Sequence, residues 1–290
     1  MEPTTFGINS DCKMTRCHVN VTASMIEGMS AVDIAGESVD VISDQEIHTF
    51  GLGESPLKDA VERYSGGRPG DVYLKSPTPW NDLYKVYNWS EVRRTLYPRS
   101  ARVLGVTSQP VIVSVQEFRN DSSVVGTYNA GITHQVEQTV SNTWSKGGEL
   151  TVGSEISYNI DMQVATVGGS ASMSFGSSWG HDRTNSKSVT VGASSAIEVE
   201  LAPGQAAIAT LQAIRATVEV EVDYTATLHG AVACNYPDKH NDHHFWSYDI
   251  NEVMGAAGMN KNIDSTERMR IDFYSDAKVM LRDRDTNADL

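Results

Sequence analysis

From Glu149 to Val164 the chain alternates for sixteen residues between two kinds of side chain. Even positions read Leu150, Val152, Ser154, Ile156, Tyr158, Ile160, Met162 and Val164. Odd positions read Glu149, Thr151, Gly153, Glu155, Ser157, Asn159, Asp161 and Gln163. After Gly168-Gly169 the alternation resumes in the other phase, with Ala171, Met173, Phe175 and Trp179 set against Ser170, Ser172, Ser174 and Ser178. A strand repeats its side-chain direction every two residues, so the segment predicts a long hairpin with one apolar and one polar face. An ordinary half-buried sheet gives the same pattern. A strand pair that crosses a membrane requires it.

The hairpin has a self-consistent register if Gly168-Gly169 is a two-residue turn, because glycines tolerate the positive φ such turns demand. Val164 then faces Met173, Met162 faces Phe175, Ile160 faces Ser177 and Tyr158 faces Trp179. About ten residues separate the tip from the Tyr158–Trp179 pair, roughly 33 Å of strand at ~3.3 Å per residue. Tilted by ~40°, that length spans roughly 25 Å, the height of the apolar band of a membrane barrel. Tyr and Trp favour the membrane–water interface, which places Tyr158 and Trp179 there. The expected membrane-facing set is Ile156, Tyr158, Ile160, Met162, Val164, Ala171, Met173, Phe175 and Trp179, with Gly168 and Gly169 at the tip. Glu149, Glu155, Asp161 and Gln163 would line a lumen, and acidic rings of Glu149, Glu155 and Asp161 favour cations. One hairpin cannot close its edges in lipid, so a barrel implies a homo-oligomer.

The flanking sequence is mostly strand. Val103 to Phe118 is β-branched and apolar. Gly131 to Trp144 is rich in Thr, Val and Ser. Lys187 to Leu201 runs to a turn at Pro203-Gly204, and Ala206 to Val232 is one long extended segment. Strands of this length exceed the usual 5–6 residues and imply an elongated protein. Residues 1–105 hold most of the helical signal. One helix starts at Ser55-Pro56, carries Leu57, Ala60, Val61 and Tyr64 on one face, and ends at Gly66-Gly67. A second is expected from Ser90 to before Pro98. Between them Trp80, Tyr84, Tyr87 and Trp89 form an aromatic cluster. It reads either as the core of a small lobe or as a receptor or glycan platform. After Asn235 the texture is mixed, with a short helix at Ile250 to Ala257, strands within Arg268 to Leu281, and a charged, frayed tail.

This order of elements resembles the aerolysin-like β-pore-forming proteins, in the branch of epsilon toxin and the mosquitocidal toxins. The residues that carry the resemblance are Thr139-Val-Ser-Asn-Thr-Trp144, the segment from Ser145 to Trp179, Thr184 to Thr190, and Leu201-Ala-Pro-Gly204. Trp80-Asn-Asp-Leu-Tyr84 and Trp89 look like the smaller eukaryotic members, such as spherulin-like and follicular-epithelium yolk proteins. The resemblance implies a mainly β, elongated fold with long twisted antiparallel strands and a small α/β head lobe. Residues 1–105 would be the head and 106–235 the pore-forming module with its insertion hairpin at 145–179. Residues 236–290 would pack on the body or head. It also implies a soluble protomer that binds a membrane lipid or a glycan or protein receptor, assembles, and inserts one hairpin per protomer. The alternative is a storage, yolk or lectin-like binding protein with the same fold.

Other features narrow the function. A net charge of −14 and a pI near 4.9 disfavour phosphate neutralisation, so no nucleic-acid partner is expected. The same charge disfavours steering to anionic lipid. Met1 to Asn20 has no basic and apolar leader pattern, and the expected location is secreted or vesicular, at a target membrane. Cys12 and Cys17 are close enough to bridge, with Cys234 left over. Gly176-Ser-Ser-Trp-Gly180 fits a hydrolase elbow formally, but its serine continues an alternating strand with no helix pattern after it. No enzyme activity, cofactor or metal is expected. Asp283 to Asp289 lacks the central Gly and terminal Glu of a calcium loop. His240, His243 and His244 lie in a polar segment. They read as a solvated loop or as a pH sensor that charges as pH falls from about 7 to 5.

Overall fold

The structure is a computed structural model that describes residues 16–145, 155–163, 171–193 and 197–290. The chain opens with β1 (Cys17–Ala23), β2 (Ala31–Ala35) and β3 (Ser38–Val41). Two helices follow, α1 (Asp44–Thr49) and α2 (Glu54–Ser65), then β4 (Asp71–Tyr73) and α3 (Pro79–Val86). The long strands come next: β5 (Arg93–Arg119), β6 (Gly126–Asn129) and β7 (Ile132–Trp144). The amphipathic segment gives β8 (Glu155–Met162) and β9 (Ala171–Ser178). After it come β10 (Arg183–Ala193), β11 (Glu198–Leu201), β12 (Ala206–His229), β13 (Ala231–His240) and β14 (His243–Asp249). Helix α4 (Ile250–Ala256) and β15 (Asn262–Asp283) complete the chain.

These elements form two compact, discontinuous units, unlike the linear division expected from sequence. Among the described residues, the smaller comprises 16–17, 36–97 and 226–262, and the larger comprises those within 18–35, 98–225 and 263–290. The segment that carries β1 and β2 was assigned to the head, yet nearly all of it belongs to the larger unit, because β1 pairs with both β2 and β8.

In the smaller unit, Ser43 and Glu46 form a capping box that starts α1. Helix α2 begins one residue before the expected Ser55, after Gly53, and stops at Gly66, which adopts φ 81°. The helix expected from Ser90 is instead the start of β5, where Ser38 pairs with Leu96 and Val41 with Arg93. The β-branched and aromatic residues from Arg93 onward gain a strand partner there, and partnering overrides weak local helix preference. The His240–His244 segment, expected as a solvated loop, is largely exposed and forms the tight turn of the β13–β14 hairpin. Asn241 and Asp242 take φ of 47° and 71°, as residues of this type do in two-residue hairpin turns. Arg94 is buried, with Nε bonded to Glu46 Oε1 at 2.7 Å, Nη1 to the Ser38 carbonyl at 2.9 Å and Nη2 to Asp40 Oδ2 at 3.0 Å.

In the larger unit β10, β7, β15, β12 and β5 lie side by side in that order. The inward face of β12 is Val218, Val220, Val222 and Tyr224, all fully buried, as their alternation with Thr217, Glu219, Glu221 and Asp223 predicts. The expected single strand from Lys187 to Leu201 divides into β10, paired with β7, and β11, paired with β6. A second sheet has the order β2-β1-β8-β9. The tail is not frayed. Asp283 accepts bonds from Gln205 Nε2 at 2.7 Å, from the N–H groups of Asp285 and Thr286, and from the Thr286 hydroxyl. Those bonds hold its carboxyl at a pKa of about 2.

Candidate functional site: a docked amphipathic hairpin

Strands β8 and β9 pair antiparallel, and each arm is two-faced as its alternation predicts. Ile156, Tyr158, Ile160, Met162 and Met173 are buried, and Ala171 and Phe175 are half-buried. On the other face Asn159, Asp161, Gln163, Ser172 and Ser174 are exposed. Burying each large apolar side chain is worth ~1.5–3 kcal/mol before the cost of ordering it.

The register differs from the expected one. Tyr158 pairs with Phe175 rather than Trp179, Ile160 with Met173 rather than Ser177, and Met162 with Ala171 rather than Phe175. The connection that carries Gly168-Gly169 lies outside the described residues. Val164, Gly168, Gly169 and Glu149 lie outside the described residues, as does the side chain of Glu155. Both registers place the same residues on the same face, because they differ by an even number of positions. Tyr158 and Phe175 stack with ring centroids 4.9 Å apart. Tyr158 and Trp179 are therefore not cross-strand partners. Trp179 lies just beyond β9 in a turn, fully buried, and its Nε1 donates to Ser265 Oγ of β15 at 2.9 Å.

Among the described residues, four sets of contacts hold the hairpin in place. The outer edge of β8 is covered by β1, and Asn159 Nδ2 donates to Asn20 Oδ1 at 3.0 Å. The carbonyls of β9 receive cations from β10: Arg183 Nη1 donates to Gly176 O at 2.7 Å and Lys187 Nζ to Ser172 O at 2.8 Å. Underneath, the Tyr158 hydroxyl donates to Glu267 Oε1 at 2.7 Å. At the start of the segment, Ser145 exchanges hydrogen bonds with Thr266 of β15, at 2.8 and 2.9 Å.

The bed is imperfectly satisfied. Ser177 Oγ on the buried face of β9 and Trp144 Nε1 at the end of β7 are buried and unbonded among the described residues. Each such group costs about 1–3 kcal/mol. The docked hairpin is thus well covered but not optimally held.

The aromatic candidates separate. Tyr84 is core, not platform: its hydroxyl donates to the carbonyls of Tyr73 at 2.7 Å and Ala231 at 3.0 Å, and burial pushes its pKa up. Trp80 and Tyr87 remain 44% and 47% exposed. Tyr87 stacks on Trp89 at 4.7 Å, and Trp80 meets Phe245 at 5.1 Å. Phe245 is the member that sequence reading missed. It sits in what read as a polar histidine segment, and only the alternation of β14 marks it. His240 stacks on Tyr236 at 4.7 Å, His243 lies 5.7 Å from Trp246, and His244 Nδ1 is 2.8 Å from the Tyr236 carbonyl. The three histidines belong to one hairpin and share partners: His240 and His244 both meet Tyr236, and His240 and His243 both face Trp246.

Cys17 and Cys234 are free, buried thiols. Burial raises them to about 11 and about 12. Cys12 lies outside the described residues. Among the described residues no group of three or more His, Cys, Asp or Glu side chains is arranged for a metal, and no helix is long and apolar enough to cross a membrane.

Long antiparallel strands carrying a docked two-faced hairpin define the fold of the aerolysin-like β-pore-forming proteins, and the chain has that fold. Parasporin-2, a Bacillus thuringiensis toxin that recognises cancer cells, superposes with a TM-score of 0.63 at 16% identity, covering 85% of this chain and 98% of that one. No family model matches the chain. U-megalopygitoxin(8)-Mo12 of Megalopyge opercularis is 40% identical over 255 residues, 88% of each chain. U-megalopygitoxin(8)-Mc8 of Megalopyge crispata is 41% identical over 255 residues, again 88% of each. The chain belongs to this U-megalopygitoxin(8) toxin family.

Proposed function

We propose that this protein is a secreted pore-forming toxin without enzymatic activity. The soluble protomer binds a target membrane, assembles with copies of itself, and inserts the segment around β8 and β9 as one hairpin of a transmembrane β-barrel. The observation that carries this reading is the hairpin itself. Among the described residues it has a largely apolar face buried on the protein's own sheet, a polar face in water, and a buried hydroxyl without a partner, Ser177, on the docked face. In a barrel the apolar face would meet lipid, and Asp161 and Gln163 would face the lumen. Trp80, Tyr87, Trp89 and Phe245 supply the receptor contact. Amphipathic rings that are part-exposed and already ordered lose little entropy on binding.

The test is a tether. Asn20→Cys with Asn159→Cys places two thiols where side chains are in contact on the exposed face, so each single variant is tolerated. Dye release from vesicles made of target-cell lipid should be abolished in the oxidised double variant and restored by reductant. Equal leakage by the oxidised and reduced forms would show that β8 does not leave β1. Absence of leakage by the unmodified protein from any receptor-bearing vesicle favours the storage or lectin-like reading.

A further inference from the structure

Four strands of the larger unit converge on one carboxyl whose partners are all neutral. Glu267 of β15 is fully buried. Its Oε1 accepts from Asn142 Nδ2 of β7 at 2.8 Å and from the Tyr158 hydroxyl of β8 at 2.7 Å. Its Oε2 accepts from the Tyr224 hydroxyl of β12 at 3.0 Å. Asn142 is fixed in this orientation because its Oδ1 accepts from the Arg183 N–H at 2.9 Å. Trp144 of β7 packs on Tyr224 at 5.1 Å. Trp179, just beyond β9, bonds to Ser265 two residues earlier on β15. Of the three donors, Tyr158 alone belongs to the hairpin.

We infer that Glu267 is a pH-dependent lock on the hairpin: in its protonated form Oε1 accepts from Tyr158 while the Oε2 proton is given to the Tyr224 hydroxyl, which turns from donor to acceptor, and ionisation leaves a buried charge with no cation beside it among the described residues, which favours release of β8. A buried carboxylate with neutral partners is costly, whereas departure of β8 would expose it to water. Burial pushes the carboxyl up from its ordinary 4.5, and the bonds from Asn142, Tyr158 and Tyr224 oppose this only in part. The docked state therefore holds the proton more firmly than the released state. Docking is strongest below the ordinary value, weakens as pH rises through the docked value, and is constant above it.

The consequence for pore formation rests on the proposed insertion of this hairpin, but docking itself can be measured without a membrane. Hydrogen exchange of the β8 amides is followed in the full chain between about pH 4.5 and 8.5, each rate divided by that of an unstructured peptide. The corrected rate should rise about tenfold for each unit by which the docked carboxyl is raised, then level off. Glu267→Gln cannot ionise and should give a flat profile. Tyr158→Phe should exchange faster at every pH while β12 amides are unchanged. If Glu267→Gln does not fold, the infrared band of a protonated carboxyl in wild type and Tyr158→Phe reports the same titration. A flat wild-type profile, or loosening on acidification shared by Glu267→Gln, would overturn the lock. Dye release measured in parallel separates the two ideas. Leakage with a flat exchange profile removes the lock and leaves the pore. A pH-dependent profile without leakage removes the pore and leaves the lock.

Discussion

At the scale of single residues, buried charge is handled in two ways. Glu267 is surrounded by neutral donors, whereas Arg94 in the smaller unit has Glu46 and Asp40 as charged partners. Glu46 is doubly committed, because its Oε2 also accepts from the Ser43 N–H at 2.9 Å to start α1. Glu46→Ala should therefore leave a guanidinium buried with one carboxylate fewer and remove a helix cap. Its expected cost is about 3–5 kcal/mol, read as a lower denaturant midpoint at unchanged slope. Arg94→Met with Glu46→Leu should cost much less, because removing both charges leaves nothing unpaired. Neither residue was singled out from sequence. Their partners lie 48 and 54 positions apart, and burial is a property of the packed unit.

At the scale of elements, the faces of β8 and β9 were legible in the sequence and their register was not. A face depends only on the parity of each position, which the two-residue period fixes. Register depends on the turn and on which side chains find partners, and the pairing found for β8 and β9 is offset by four from the one that a two-residue turn at Gly168-Gly169 implies. The cover that β1 gives to β8 was also not legible, because it joins segments more than a hundred residues apart. Gly192 shows how closely such pairing is fitted. It takes φ 115°, and a Cβ there would lie 2.2 Å from the Ile132 carbonyl oxygen in the partner strand β7. Gly192→Ala should destabilise the larger unit by at least ~2 kcal/mol and speed amide exchange in the last residues of β10. If its unfolding curve matches wild type, the positive φ is not needed there.

At the scale of the whole molecule, the net charge of −14 governs encounters. Protomers repel one another and an anionic surface repels them all, so charge does not drive membrane approach. Raising ionic strength from about 0.01 to 0.15 M shortens screening from about 30 to 8 Å. Assembly on neutral, receptor-bearing vesicles should accelerate over that range. Adding anionic lipid at low salt should slow it, as read by the lag before dye release. A faster onset on anionic vesicles at low salt would mean that a local basic surface outweighs the net charge.

The sequence by itself determined the mainly β fold, the long strands and the two faces of the hairpin, because each follows from local periodicity and chain length. It also marked the aromatic cluster, though not Tyr84 as its buried anchor or Phe245 as its member. Only the tertiary structure decided how the hairpin is held. The β8–β9 register, the β1 cover, the Trp179–Ser265 bond and the Glu267 cluster all join segments distant in the chain. Burial and hydrogen bonding of this kind exist only once the sheets have packed, so no local pattern encodes them.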